Sequence, residues 1–217
     1  MADREPPYCP AFYEFNPSIR SNARPRSRQL ILFSLDPMTL PRTFAIALIA
    51  LSSVARAADD AAIIDGPNYS FSVRAPEGWR MTSTRQLQTA FYPADKTFEK
   101  TPVLMYVRSA DKAQLHVNNI EELNKLDLRG IQGHHPKAES KKVGSIRISD
   151  GREIPIYFFS GGGYFEQVAY AEQSKTITVF VASSETADDL KSSEKAFREL
   201  VDSYLFISDD VTTPKHE

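Results

Sequence analysis

Apolar and polar residues alternate along much of the chain after residue 68, which is the pattern of β-strands with one buried face. In residues 69–74, YSFSVR, every second side chain is aromatic or aliphatic. The run VLMYVRSA at 103–110 is apolar on both faces for most of its length, as in a strand at the centre of a sheet. Asp150-Gly151 and Gly161 to Gly163 predict tight turns between strands. The predicted strands are residues 69–74, 86–92, 103–110, 142–149, 153–160, 164–172 and 176–182.

Two segments show the period of amphipathic helices. The first is expected to begin at a cap formed by Asn118 or Asn119 and to end at Gly130 or Gly133. The second is expected to begin at Thr186 and to run close to the end of the chain. Its apolar stripe consists of Leu190, Phe197, Leu200, Val201, Tyr204 and Leu205. Such a stripe is typical of a helix with one face in a core, so we expect Phe197 and Leu200 to be buried.

These elements predict the fold class. Two helices and six or seven strands joined by short connections indicate an α+β domain, in which helices cover an antiparallel sheet.

Residues 38–57, MTLPRTFAIALIALSSVARA, have the order of a signal peptide. Arg42 supplies the basic region, and an uncharged, mostly apolar run of 11 residues follows at 44–54. Ala55 and Ala57 offer small side chains to a signal peptidase, which predicts cleavage between Ala57 and Ala58. A membrane-spanning helix needs about 20 apolar residues, more than this run provides. We therefore expect a periplasmic or secreted protein without a stable membrane span after cleavage.

The segment before this signal, residues 1–37, contains five Arg, no Lys and scattered prolines. Two interpretations remain open. It is an extension upstream of the true start at Met38, or it is a disordered basic tail whose Arg20 to Arg28 stretch contacts an acidic partner. The expected organisation is an extension at 1–37, a signal peptide at 38–57, one α+β domain at 58–207 and a polar tail at 208–217.

Composition excludes several classes of function. The chain of 217 residues has 26 basic and 28 acidic side chains, and the part after residue 57 has 19 and 24, a net charge of −5. Such a balance does not favour nucleic acid as a partner. The single cysteine, Cys9, cannot form an internal disulfide or a multi-cysteine metal site.

Two stretches resemble a known family. YSFSVRAPEGW at 69–79 resembles the opening strand and Pro-x-Gly-Trp turn of the PsbP-like proteins, relatives of the extrinsic PsbP subunit of photosystem II. TITVFVASS at 176–184, followed by an acidic link and FRELVDSYLFI at 197–207, resembles the end of the same proteins, with Phe197, Ser203 and Phe206 in the closing pattern. The resemblance implies an α/β/α sandwich and exported bacterial relatives that mostly have no established activity. The photosystem role does not carry over, because no docking residues match position by position.

The clustered histidines are the candidate metal ligands. His134 and His135 are adjacent in GIQGHHPK, and His116 or an acid such as Glu139 could complete a site. Adjacent residues in a loop seldom point at one ion, whereas the i,i+4 spacing of a helix does so by geometry. A solvated loop is the simpler interpretation of this pair.

The glycines at 161–163 and the aromatic residues around them are the other candidate. Strands flank the glycines on both sides, which favours a hairpin turn over a phosphate-binding loop or a nucleophile elbow. Tyr164 and Phe165 beside this turn could contribute to an exposed binding patch, although core packing is the alternative for both.

Two functions follow from these patterns. The first is an exported, non-catalytic binding or assembly-accessory domain of PsbP-like form, which needs no cofactor and whose partner is another exported protein. The alternative is a small exported metal-dependent enzyme that uses His134, His135 and His116.

Overall fold

The computed structural model describes residues 61–210. The strands in this part of the chain are β1 (Ala61–Gly66), β2 (Tyr69–Arg74), β3 (Trp79–Thr82), β4 (Thr89–Pro93), β5 (Val103–Asp111), β6 (Glu139–Arg147), β7 (Glu153–Gly161), β8 (Tyr164–Glu172), β9 (Thr176–Ser184) and β10 (Leu205–Ser208). The helices are α1 (Lys112–Leu115), α2 (Ile120–Gln132), α3 (Ala187–Ser192) and α4 (Glu194–Asp202), with a 3₁₀ turn at Phe98–Lys100. The predicted extension at 1–37, the predicted signal peptide at 38–57 and residues 211–217 of the predicted tail lie outside the described residues.

The strands form two antiparallel sheets. The large sheet has seven strands in the order β3-β4-β5-β9-β8-β7-β6, and the small sheet has three in the order β1-β2-β10. Strand β9 lies at the centre of the large sheet and is buried along almost its whole length, because its sequence TITVFVASS presents apolar or small side chains to both faces. Strand β6 forms one edge and is mostly exposed.

The large sheet separates two hydrophobic cores. On one face, the sheet packs against the small sheet and against α3 and α4, and this first core includes Phe71, Phe180 and Leu200. On the other face, the sheet packs against α2, and this second core includes Leu123, Ile131 and Tyr170. Helices therefore cover both faces of an antiparallel sheet. The predicted α+β class, in the layered form of an α/β/α sandwich, is confirmed.

Helix α2 begins where the sequence predicts. The side chain of Asn119 accepts a hydrogen bond from the backbone N–H of Glu122 at 3.0 Å. The Glu122 carboxylate in turn accepts from the backbone N–H of Asn118 at 2.7 Å. These two bonds satisfy backbone donors that a helix start leaves without partners.

The end of the domain differs from the single helix that the sequence predicts. The helical stretch is divided at Ser193 into α3 and α4, and the chain leaves the helix after Asp202. Phe197 and Leu200 are fully buried, as predicted. Leu205, which the sequence predicts on the buried helical stripe, instead lies in β10 and is 57% exposed. The reason is the pairing of β10 with β2, which supplies the backbone hydrogen bonds that a longer helix would have made internally.

None of the helices within residues 61–210 is long and apolar enough to cross a membrane.

Candidate functional site

The outer face of the small sheet carries a cluster of exposed aliphatic side chains. Four large hydrophobic residues are exposed among the residues that the structure describes, and three of them lie on this face. They are Ile63 at 67%, Leu205 at 57% and Ile207 at 49% exposure. Single exposed aliphatic residues are common, whereas several on one face form an apolar surface of the kind that can bind another molecule. We call Ile63, Leu205 and Ile207 the outer patch.

Strand register explains why these side chains lie together. Ile63 of β1 and Leu205 of β10 both pair with Ser72 of the central strand β2, so the three residues form one row across the sheet. Neighbouring strands are about 4.8 Å apart, and the row is therefore about 10 Å long. Ile207 lies in an irregularity of the β10–β2 register, two residues beyond Leu205. The small side chain of Ser72 leaves the two aliphatic chains accessible on either side.

The opposite face of the same sheet is buried. Ile64, Phe71 and Val73 pack in the first core, with exposures of 4% or less. The small sheet thus has one face in the core and one aliphatic face outside it. At the ends of the outer face, Asp65 accepts a hydrogen bond from Ser70 at 2.5 Å, and the Arg74 side chain is exposed. An apolar centre with polar ends is the usual composition of a protein–protein interface.

A second polar cluster lies between the large sheet and α2. Asp127 of α2 accepts from the guanidinium of Arg108 at 2.7 Å and from the hydroxyl of Tyr170 at 2.9 Å. Burial raises the pKa of the fully buried Tyr170 well above its usual value, and the charge of Asp127 raises it further. These contacts fasten α2 to strands β5 and β8 across the sheet.

Glu166 of β8 belongs to the same side of the sheet and is only 4% exposed. The pKa of the Glu166 carboxyl group is raised to about 7, and burial is the largest cause of this shift. The hydroxyls of Tyr164 and Ser183 and the charge of Arg108 lower the pKa, but by less than burial raises it. Its Oε1 oxygen has no hydrogen-bond partner of normal geometry within residues 61–210.

An open groove of about 720 Å³ lies between β6 and the helices α3 and α4. Its charged side chains largely neutralise one another. Arg198 donates to Glu194 at 3.0 Å, and Lys195 lies 3.5 Å from Glu199. A groove of paired, solvated charges lacks the convergent polar groups and apolar walls of a small-molecule site.

The candidate metal ligands are not assembled. His134 and His135 follow the C-terminal end of α2, and each backbone N–H donates to the carbonyl of Ile131. His116 lies ahead of the helix, in a left-handed conformation that ends α1. Within residues 61–210, no group of three His, Cys, Asp or Glu side chains is arranged to hold a metal ion. The set of His134, His135 and His116 is therefore not brought together, and metal binding by the pair alone stays a prediction.

The triglycine segment forms the predicted hairpin turn between β7 and β8. Gly161 has a φ of 128°, and a Cβ there would lie 2.1 Å from the carbonyl oxygen of Lys137. The turn therefore packs closely against the loop that follows α2, where the His135 ring lies 4.8 Å from the ring of Tyr164.

Tyr164 and Phe165 point to opposite faces of the large sheet. Tyr164 is 6% exposed and belongs to the second core, whereas Phe165 is partly buried against the first core. They do not lie side by side on one surface, and a binding role for either stays a prediction.

Sequence reasoning missed both the outer patch and Glu166. The alternation that predicts β8 places Glu166 on the same face as Tyr164, Val168 and Tyr170, and this was a usable signal for its burial. The outer patch had no comparable signal, because its two halves are separated by about 140 residues of sequence.

Comparisons with known proteins identify similar structures only. No protein-family model and no curated protein sequence matches the chain. Among solved structures, the chain is similar to the solution structure of cyanobacterial PsbP (CyanoP) from Synechocystis sp. PCC 6803. The identity is 10% and the TM-score 0.47, over 74% of this chain and 99% of that chain. It is also similar to the crystal structure of LpqN, involved in cell envelope biogenesis of Mycobacterium tuberculosis. There the identity is 9% and the TM-score 0.42, over 67% of this chain and 90% of that chain.

Proposed function

We propose that this protein is an exported, non-catalytic binding or assembly-accessory domain that docks onto another exported protein through the outer patch. The observation that carries the proposal is the row formed by Ile63, Ser72 and Leu205, extended by Ile207, whose three aliphatic side chains are about half or more exposed on the outer face of the small sheet. The predicted signal peptide at 38–57 supports export.

The size of the outer patch fits a modest, specific interface. Full burial of an aliphatic side chain stabilises by about 1.5 to 3 kcal/mol, and these three side chains still expose about half or more of their surface. Covering each one is therefore worth about 1 to 1.5 kcal/mol. The outer patch can supply the centre of an interface whose remaining area is polar.

The charges around the outer patch favour a protein over a lipid surface. Membrane-binding faces combine apolar residues with several Lys and Arg, which attract anionic headgroups. Here the ends of the face carry one acid, Asp65, and one base, Arg74. A partner with an apolar centre and one charge of each sign at its ends would complement this face.

Site-specific photocrosslinking in the producing cell tests the proposal. A photoreactive amino acid at Leu205 should crosslink the full chain to one protein of the exported fraction. The same amino acid at Val143, which is 52% exposed on β6, serves as the matched control and should not form this product. Ile63→Asp should abolish the crosslink from position 205, because the two side chains share one row.

Three outcomes would count against the proposal. The first is equal crosslinking from positions 205 and 143, and the second is crosslinking to lipid alone. The third is a product with twice the mass of the chain, which would show that a second copy covers the outer patch.

A further inference from the structure

Glu166 occupies an unusual position for a carboxylate. It lies in β8, where register places it between Phe159 of β7 and Ser183 of β9, on the face of the large sheet that α2 covers. Phe159 is fully buried. A charge at this position is almost completely removed from solvent, and no lysine or arginine within residues 61–210 forms an ion pair with it. Ionisation of Glu166 is therefore unfavourable while α2 is packed on the sheet.

The other polar groups on this face offset only part of the cost of ionising Glu166. Strand β8 itself presents Tyr164 and Tyr170, β9 presents Ser183, β7 presents Tyr157, and β5 presents Tyr106 and Arg108. Helix α2 contributes the carboxylate of Asp127, and the loop after it contributes His135, whose ring lies against Tyr164. Arg108 is the only Lys or Arg among the described residues named here, and it already pairs with Asp127 at 2.7 Å. A second negative charge at Glu166 would face that carboxylate without a cation of its own.

We propose that Glu166 makes the packing of α2 on the large sheet dependent on pH. In the closed state, α2 is packed on the large sheet, and this state is favoured while Glu166 is protonated. Once Glu166 is ionised, α2 separates from the sheet more often, because this opening gives the carboxylate access to water. The other helical layer, α3 and α4, packs on the opposite face of the sheet and does not contact this carboxyl group. The pH dependence is therefore confined to the packing of α2.

The expected size of the effect follows from proton linkage. Opening moves the carboxyl group from an environment where its pKa is about 7 to water, where its pKa is 4.5. The opening equilibrium then rises roughly 25-fold between pH 5.5 and pH 8. The pKa of Glu166 is higher in the closed state than in the open state, so the closed state binds the proton more tightly. The closed state therefore loses stability relative to the open state as the pH rises from 4.5 to about 7.

Amide hydrogen exchange at pH 5.5 and pH 8 tests this inference, with rates converted to protection factors to remove the intrinsic pH dependence of exchange. In the wild type, the protection factors of the α2 amides should fall roughly 25-fold between pH 5.5 and pH 8. At pH 8 they should also be clearly less protected than amides of α4, since α2 opens without complete unfolding. In Glu166→Gln the loss should disappear, although the neighbouring ring of His135 is still present. Glu172→Gln, on the same strand but partly exposed and paired with Lys112, should behave as the wild type.

Two results would overturn the inference. Equal protection of α2 and α4 at both pH values would show that ionisation is felt only in complete unfolding. An undiminished loss in Glu166→Gln would show that another group is responsible. If Glu166→Gln does not fold, Glu166→Met is the second variant, and its α2 protection should be independent of pH.

Discussion

Truncation of Leu200 to alanine should destabilise the domain strongly, because the side chain is fully buried in the first core. The change removes three carbon atoms, each worth about 0.8 kcal/mol in transfer from water. The incompletely filled cavity adds to this, so the expected loss in the free energy of unfolding is about 3 kcal/mol. For a domain of about 150 residues, this corresponds to a fall of roughly 6 to 12 °C in Tm.

Thermal unfolding followed by circular dichroism measures this loss. Lys195→Ala on the same helix is the matched control, because its side chain is 85% exposed and its contact with Glu199 at 3.5 Å is a solvated i,i+4 pair. The control should change Tm by less than about 2 °C, since exposed pairs of this kind contribute only a few tenths of a kcal/mol. Equal shifts for Leu200→Ala and Lys195→Ala would show that the buried face of α4 has been assigned incorrectly.

Three further predictions concern the polar groups. Asp127→Ala should lower the free energy of unfolding, measured with denaturant, by about 2 to 4 kcal/mol, because it removes the acceptor of the Tyr170 hydroxyl and of the Arg108 guanidinium. Tyr170→Phe should cost less, and an equal cost for the two variants would contradict this hydrogen-bond network. The pKa of Glu166 is raised from 4.5 to about 7 in the folded protein, so wild-type stability should fall by about 3 kcal/mol as the pH rises from 4.5 through 7, and Glu166→Gln should remove this dependence. In calorimetry with added zinc, His134→Ala plus His135→Ala should leave Tm unchanged, whereas a zinc-dependent rise in the wild type that the double variant lacks would restore the metal-enzyme alternative.

The sequence predicts those elements whose burial follows from a local pattern. Strand β5 and helix α2 are examples, since the apolar run at 103–110 and the Asn119 cap each specify an element without knowledge of its neighbours. Strand β10 could not be predicted in this way. Leu205 fits a helical stripe as well as it fits a strand, and the pairing offered by the distant strand β2 decides between the two.

The candidate sites depend even more on contacts between distant segments. Ile63 and Leu205 become neighbours only because both pair with Ser72. The burial of Glu166 follows from its face of β8, but its raised pKa also requires the cover formed by α2 and the position of Asp127. Local patterns of apolar and polar residues contain neither piece of information.

The central claim is that the outer patch binds another exported protein, and the most direct measurement is the amount of that protein recovered with different variants. Cells producing the full chain are crosslinked, and the partner captured by wild type, by Ile63→Asn plus Leu205→Asn, and by Val143→Asn is quantified by isotope-labelled mass spectrometry. Loss of two aliphatic contacts should cost about 2 to 3 kcal/mol of binding, a weakening of affinity of roughly 30- to 160-fold. We expect the double variant to lose the partner and Val143→Asn to retain it. Equal recovery with all three proteins would contradict the claim.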